Sequence, residues 1–555
     1  MSRWWWGWGD PPGRSERSDL SDRAGLWAFL EARLGPARHL VPPAVAPEQI
    51  RLRPCRLPEG VLVSLSAAVG GEHLSSEPWD RISHAYGKGY LDLVRLRRGE
   101  IPHPPDAVAF PGAEADVEHL LRIADAERIA VVPFGGGTSV VGGLEADPDR
   151  PTLCVDLRRM KRLIEVQPDA LRATAEAGIR GPELEAGLNA RGVTLGHYPQ
   201  SFELSTLGGW IATRSAGYAS TGYGKVERMV TALRMVTPRG TLATRLVPAS
   251  ASGLDLMWMA VGSEGALGII TQATVRVLPL PERRDYRAFL FRNFDEGLAA
   301  VREMMRSGPP PTTIRLSDGP ETEASLALRS YRAGWAARVR AWLQAGPGLR
   351  YLQARGYRVG VMCLAIVGVE GTGGAVRCGW RPLGRLLRRH GAHPLGAGPA
   401  RAWRREYFEA PYLRDALLDA GVLVDTLETA ASWDLLAPLR SGVAATLDRA
   451  LRQMGTPPFV GCHLSHAYVT GASLYFTFLA RQAAGREAEQ WHAAKRAATD
   501  AIVAAGGTIT HHHGVGLIHR PWMLDEHGQE GLRVMSAVKA ALDPNGIMNP
   551  GKLLG

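Results

Sequence analysis

Long apolar runs are missing from this 555-residue chain, and no stretch approaches the length of a membrane-spanning helix. Cysteine is scarce. The five residues, Cys55, Cys154, Cys363, Cys378 and Cys462, form no C-x-x-C pair and are odd in number. That excludes a disulfide framework and a zinc ribbon, and it predicts buried thiols in a reducing compartment. The N-terminal stretch has no signal-peptide core, so a cytoplasmic location is expected. No Gly-Lys-Ser/Thr follows a glycine loop, which removes the P-loop, and no G-x-G-x-x-G dinucleotide fingerprint is present. Basic residues outnumber acidic ones 65 to 55, a net charge of +10, yet the arginines are spread along the whole chain. A nucleic-acid binder would gather them into a stripe, so nucleic acid is not an expected partner. Anionic substrates, cofactor phosphates or an acidic membrane surface remain compatible with the charge. There is no internal repeat.

What is present divides the chain into four parts. Residues 1–100 read as a helical extension, with "LSDRAGLWAFLEARLG" as a helix and Ser21 as its cap. Trp4, Trp5, Trp6 and Trp8, beside Arg3, read either as an arm laid in a groove of the protein itself or as an interfacial membrane anchor. Residues 101–281 alternate short strands, an amphipathic helix and glycine-rich turns. Residues 282–500 carry longer alternating strands and helices, the pattern of an antiparallel sheet with helices on one face. Residues 501–555 hold "THHHGVG" and "ALDPNGIMNPGKLLG".

The glycine clusters carry the chemistry of the second part. "PFGGGTSVVGG" follows a strand directly, and three adjacent glycines expose backbone N–H groups and allow close approach to a diphosphate. "SFELSTLGGW", "TRSAG" and "GSEGALGII" repeat the small, polar, glycine-rich texture. Several such loops suit a cofactor with a long anionic middle, although each alone could be a structural turn.

Together, "PFGGGTS", "GSEGALGIITQATVRVLP" and "LDPNGIMNPGKLL" resemble the flavoproteins with the FAD-binding fold of vanillyl-alcohol oxidase and D-lactate dehydrogenase. The resemblance implies an α+β architecture. It consists of a two-subdomain FAD-binding fold plus an α/β substrate (cap) domain with an antiparallel sheet, the C-terminal segment returning to the FAD domain. It also implies FAD held by Pro133, Gly135, Gly136, Gly137, Thr138 and Ser139, by Gln200, Ser201, Ser205 and Thr206, by Thr213, Ser215 and Ala216, and by Glu264, Gly265, Gly268, Ile269 and Ile270. Covalent members carry a histidine in the first glycine loop. Thr138 and Ser139 stand here instead, so the flavin is expected to be non-covalent.

The second half is similar to the alkyldihydroxyacetonephosphate synthases through "PTTIRLSD", "APYLRDALLDAGVLVDTLETAASWD", "CHLSHAYVTGASLYFTF" and "THHHGVG", and the early "WWGWGD" resembles their entry segment. This resemblance implies a transferase of ether-lipid synthesis. It would exchange the acyl group of acyl-dihydroxyacetone phosphate for a long-chain fatty alcohol, using FAD without net redox. The same fold also serves dehydrogenases and oxidases of 2-hydroxy acids and alcohols, which is the alternative reading. The resemblance makes Tyr468 the catalytic tyrosine, His511, His512 and His513 an essential triplet and Arg315 an essential arginine, with Arg405 and Arg404 as candidates for the substrate phosphate. A tyrosinate near cations can act as base, and histidines shuttle protons near neutral pH. Read as a strand, the triplet points to alternate faces, so the middle residue braces the strand and no metal site is expected. His463 and His466, flanking Tyr468, either tune it or only pack. His390 and His393 read as a solvated helix end. The expected partners are the phosphate-bearing lipid and a fatty alcohol, with a peripheral contact to the inner face of a membrane and a second copy of the chain also compatible. Arginine-rich usage and the absence of a peroxisomal terminus at "GKLLG" favour a bacterial enzyme.

Overall fold

The computed structural model describes residues 4–9, 24–35, 41–329 and 347–554. Ser21, read as a helix cap, and Arg3, read beside the tryptophans, lie outside the described residues.

Two sheets build the flavin-type half. The first has the order β1-β2-β4-β3, from β1 (Leu74–Ser75), β2 (Ala107–Ala109), β3 (Ala130–Phe134) and β4 (Thr152–Asp156). Strands β2 and β3 both run parallel to β4, and the helix Glu114–Ala126 makes the crossover between β2 and β3. Its Val117, Leu120, Leu121 and Ala124 recur at helical spacing and are all buried. The second sheet, β5-β6-β10-β8-β9, is antiparallel. Its strands are β5 (Leu163–Gln167), β6 (Arg172–Glu176), β8 (Val230–Thr237), β9 (Gly240–Ala243) and β10 (Ile269–Arg276), with the small pair β7 (Val193–Thr194) and β11 (Leu278–Pro279) beside them. One apolar core joins both sheets and includes Ile547 and Met548 near the C-terminus. Met548 bridges Val131 of β3, so the end of the chain runs back against the first sheet.

The other half is one seven-stranded antiparallel sheet of order β15-β12-β14-β13-β17-β18-β16. Its strands are β12 (Arg283–Phe291), β13 (Thr313–Ser317), β14 (Cys363–Gly371), β15 (His393–Gly396), β16 (Val422–Ser432), β17 (Phe459–Ala467) and β18 (Gly471–Arg481). This is the antiparallel cap sheet that the resemblance implies. Strand register decides which side chains meet. Glu428 pairs with Tyr475, and Tyr475 pairs with His463, so three strands set these residues in one row.

Three local readings change. The polar, glycine-rich stretch after Gln200 is not all loop: Leu207–Thr213 is a helix whose N-cap Thr206 accepts from the Gly209 N–H. The histidine triplet is no strand but a bend. Of the cysteines, Cys154, Cys363 and Cys462 are buried, whereas Cys378 is exposed and Cys55 half-buried; all five are free thiols. Trp6 and Trp8 are 0% and 7% exposed, so these two rings of the N-terminal cluster lie inside the protein. No helix among the described residues is long and apolar enough to cross a membrane.

Candidate active site

A cavity of 790 Å³ opens between the two halves, within the usual size range of small-molecule sites. Every residue assigned to the flavin from sequence borders it: Pro133, Gly135–Ser139, Gln200, Ser201, Ser205, Thr206, Thr213, Ser215, Ala216, Glu264, Gly265, Gly268, Ile269 and Ile270. The fit to a diphosphate cofactor rests on the backbone. The strand β3 ends at Phe134, and the N–H groups of Gly135, Gly136, Gly137, Thr138 and Ser139 donate to no protein acceptor among the described residues. Five successive open donors form an anion cradle. A Cβ on Gly136 would overlap the Leu204 carbonyl, and one on Gly135 would meet the Thr206 hydroxyl. Only glycine lets these loops lie this close. No histidine lies among residues 135–139.

The opposite wall is the cap sheet. Side chains alternate along a strand, and the face toward the cavity carries Thr313 and Arg315 of β13, His463 and Ser465 of β17, Tyr475, Thr477 and Leu479 of β18, and Val424 and Thr426 of β16. Arg315 is held at both terminal nitrogens: its Nη1 donates to His463 Nε2 at 2.9 Å and its Nη2 to Glu321 Oε1 at 2.7 Å. His463 Nδ1 lies 2.9 Å from the same Glu321 oxygen. Burial works to raise the Glu321 carboxyl, but Arg315 and His463 outweigh it and hold it at about 2. A second arginine, Arg414 on the helix Ala410–Asp419, borders the cavity too. Its Nη1 donates to the Lys88 carbonyl at 3.1 Å and its Nη2 to Asp425 at 3.0 Å.

The bend at 510–516 is clamped by two carboxylates, the buried Glu428 and the half-buried Glu264. Glu428 accepts from the backbone N–H of His511 (2.6 Å), His512 (3.0 Å) and His513 (2.9 Å) and from the Thr510 hydroxyl (2.7 Å). Glu264 accepts from the N–H of Val515 (2.6 Å) and Gly516 (2.8 Å). A strand cannot aim three consecutive N–H groups at one carboxylate, and this is why the triplet bends. Burial pushes the His512 imidazole down to about 3 and that of His513 to about 4, and it pushes His511 well below the usual histidine range. All three are neutral near pH 7. Burial would raise Glu428, but the three imidazoles and the His512 N–H outweigh it and hold the carboxyl well below its ordinary range. The backbone N–H bonds add to that preference whatever the charge on the imidazoles.

His512 and His513 border the cavity, but His511 and Tyr468 do not. Tyr468 Oη lies 2.6 Å from His511 Nε2, and His511 Nδ1 lies 3.1 Å from His512 Nδ1. These contacts make a chain leading away from the cavity wall to a half-buried phenol. Burial raises the Tyr468 phenol above its ordinary range, followed by Glu227, with Arg228 opposing. The tyrosinate expected there is therefore not the resting form. Of the two tyrosines packed against the triplet, Tyr475 borders the cavity, stacked between His463 (centroids 4.9 Å, 27°) and His512 (6.0 Å, 18°). It is half-buried, and its phenol is likewise raised, chiefly by burial. Arg404 and Arg405 are not on the wall. The Arg404 guanidinium lies 5.4 Å over the Tyr286 ring, and Arg405 is exposed on the far side of its helix. His390 pairs with Glu303 at 2.6 Å, away from the site. His466 borders the cavity at a β-bulge, with φ 49° and Nδ1 2.5 Å from Ser220 Oγ.

The ligand atoms of Glu428, His511 and His512 lie within 4.8 Å of one another, the donor set of a metal site. The Glu428 oxygens and both His511 nitrogens are nevertheless already engaged with protein groups. Sequence reasoning missed Glu428, Tyr475 and Arg414. All three sit in stretches that carry the resemblance, and period-two alternation through "ASLYFTF" could have pointed to Tyr475.

Comparison with known proteins bears on the cofactor and the family. Residues 105–244 match the model of the FAD binding domain, and residues 280–553 match that of the FAD linked oxidases, C-terminal domain. The alkyldihydroxyacetonephosphate synthase of Dictyostelium discoideum is 35% identical over 513 residues, covering 92% of this chain and 83% of that protein. The synthase of Trypanosoma brucei brucei is 35% identical over 507 residues, covering 91% and 82%. A solved alkyldihydroxyacetonephosphate synthase superimposes with a TM-score of 0.82 at 33% identity, covering 95% of this chain and 92% of that one. The Dictyostelium and Trypanosoma synthases come from eukaryotes and lend no support to a bacterial source.

Proposed function

The chain belongs to the alkyldihydroxyacetonephosphate synthase family, and from that premise we propose that it replaces the acyl group of an acyl-dihydroxyacetone phosphate with a long-chain fatty alcohol, with no net redox. One observation carries the reading. The cavity that holds the diphosphate cradle is also bordered by two arginines and by the apolar side chains of Leu26, Phe29, Leu30, Leu417, Phe459 and Leu479. A small hydroxy acid has no use for that apolar lining, whereas a phosphate with a long chain uses every part.

FAD fits the loops from Gly135 to Ile270, and there it supplies a ring that can take up and return electron density without an external oxidant. The protein does the rest. Arg315 and Arg414 bind the phosphate: His463, Glu321, Lys88 and Asp425 each take one N–H of a fork, which leaves further N–H donors for the ligand. Tyr475, a neutral phenol, donates to the ketone oxygen. His512 and His513, neutral and beside it, take the proton that the reaction releases next to the ketone or from the incoming alcohol. A bound phosphate anion raises their basicity, as an opposite charge does for any imidazole. His511 and Tyr468 extend the proton path outward from His512. The clamps at Glu428 and Glu264 hold the imidazoles at fixed positions against the flavin loops.

Labelled hexadecanol and the palmitoyl ester of dihydroxyacetone phosphate test the reading. The expected result is labelled ether product and released palmitate under anaerobic conditions, with no bleaching of the flavin by D-lactate. Steady reduction by a hydroxy acid without alcohol exchange would replace the reading with a dehydrogenase.

A further inference from the structure

We propose that the N-terminal arm is part of the substrate site, with Trp8 forming cavity wall next to Arg414 and donating its indole N–H to an oxygen of the bound acyl ester. The proposal deepens the synthase reading and rests on it for the chemistry of the ligand.

The arm is built in. Trp6 is fully buried, with the Arg97 guanidinium 5.6 Å over its ring. The Gly7 carbonyl accepts from Lys88 Nζ at 2.5 Å, and the Trp8 backbone N–H donates to Asp415 Oδ2 at 2.8 Å. A Cβ at Gly7 would overlap the Asp415 carboxylate, so glycine is what admits the arm at this spot. Asp415 follows Arg414 directly on the helix. Lys88 completes the junction: its carbonyl accepts from Arg414, and its own N–H donates to the Ser139 carbonyl of the first glycine loop at 2.6 Å. Through one residue the arm is tied both to a phosphate-binding arginine and to the cofactor cradle.

Trp8 borders the cavity. Its indole Nε1 is buried and has no hydrogen-bond partner among the described residues. A buried donor without an acceptor is unfavourable, and a ligand oxygen relieves it. In the proposed substrate the ester and the phosphate sit on the two carbons that flank the ketone, and Trp8 and Arg414 likewise both border the cavity. The helix α1 (Ala24–Leu34) follows the arm in sequence and gives Leu26, Phe29 and Leu30 to the same cavity. The N-terminal segment thus supplies a polar donor and an apolar flank.

The test compares flavin-loaded wild type, Trp8→Phe and Trp8→Ala in hexadecanol exchange, together with direct binding of a pyrene-labelled dodecanol. Trp8→Phe keeps the ring and removes the donor, so kcat/KM for the palmitoyl ester falls roughly 3- to 10-fold, the worth of one neutral hydrogen bond, with chain-length preference kept. Trp8→Ala opens the wall and shifts preference toward longer or branched alcohols, while binding the pyrene alcohol several-fold more weakly. Wild-type kcat/KM and chain-length profile in both variants would overturn the proposal. If Trp8→Ala fails to retain flavin, Trp8→Phe decides by its kcat/KM. If the wild type exchanges no alcohol, the synthase reading has failed, and the pyrene alcohol then decides on Trp8 alone: weaker binding by Trp8→Ala supports a wall, and equal binding removes it.

Discussion

Glu428→Gln replaces one carboxylate oxygen with an NH2 group and so tests whether the clamp on the histidine bend matters. One Glu428 oxygen accepts from Thr510, His512 and His513, and the other accepts from His511. The best placement of the new amide leaves its oxygen on the threefold side and sets N–H against the His511 N–H. One charge-assisted bond is lost, a buried donor is orphaned and the other three bonds weaken, for a total of about 2–3 kcal/mol. That is about 30- to 150-fold in a local opening equilibrium. Hydrogen-exchange mass spectrometry of the peptide covering residues 510–516 reads it directly. Activity should suffer separately, since a shift of the His512 and His513 imidazoles by about 1 Å costs on the order of 100-fold in kcat. KM should change little because Arg315 and Arg414 are untouched, and flavin content should stay at wild type because the cradle lies on other loops. Wild-type exchange rates at 510–516 together with wild-type kcat would refute the clamp argument.

Tyr475→Phe should lower exchange by at least about 100-fold with flavin retained, whereas Tyr468→Phe should cost roughly tenfold or less because it removes only the outer end of the relay. The reverse order would restore Tyr468 as the group at the substrate. Gly136→Ala should yield folded protein that binds little FAD, read from the flavin absorbance of the purified protein, because the added methyl meets the Leu204 carbonyl; stoichiometric flavin would contradict the cradle. Acid should destabilise the protein from about pH 6.5 downward. His512, His513, His519 and His197 are pushed down to about 3, 4, 4 and 3, chiefly by burial, and His466 and His511 lie well below the ordinary value. Below about pH 6.5 the unfolded chain therefore binds more protons than the folded one, and stability falls with pH. Asp92 and Glu264, raised to about 7 by burial, act in the opposite direction over the same range but are fewer. A melting temperature that holds or rises between about pH 6.5 and 5 would refute the assignment of buried neutral imidazoles.

The flavin loops were legible because their chemistry is local. Adjacent glycines after a strand expose donors wherever the strand ends, and Gly135, Gly136 and Gly137 need only Phe134 before them to make a cradle. The substrate wall was legible only as stretches of sequence. "ASLYFTF" and "SHAYVTGA" both contain a tyrosine, and a linear reading has no way to rank them, because which one faces the cavity depends on strand pairing. The register of β18 between β16 and β17 puts Tyr475 in line with Glu428 and His463, while Tyr468 falls at the hairpin end. The same holds for the arginines. Arg404 and Arg405 lie only a short way before Arg414 in the chain, but one sits on a tyrosine ring, one faces solvent and one meets the cavity.

By itself, then, the amino-acid order determined a glycine-rich flavin cradle, an antiparallel second half and a short catalogue of side chains able to handle a phosphate and a proton. Tertiary structure alone decided which members of that catalogue meet. Cross-strand register and the two carboxylates that bend residues 510–516 are long-range pairings, and a residue's contacts across a sheet are set by its partner strands rather than by its own neighbours in the chain.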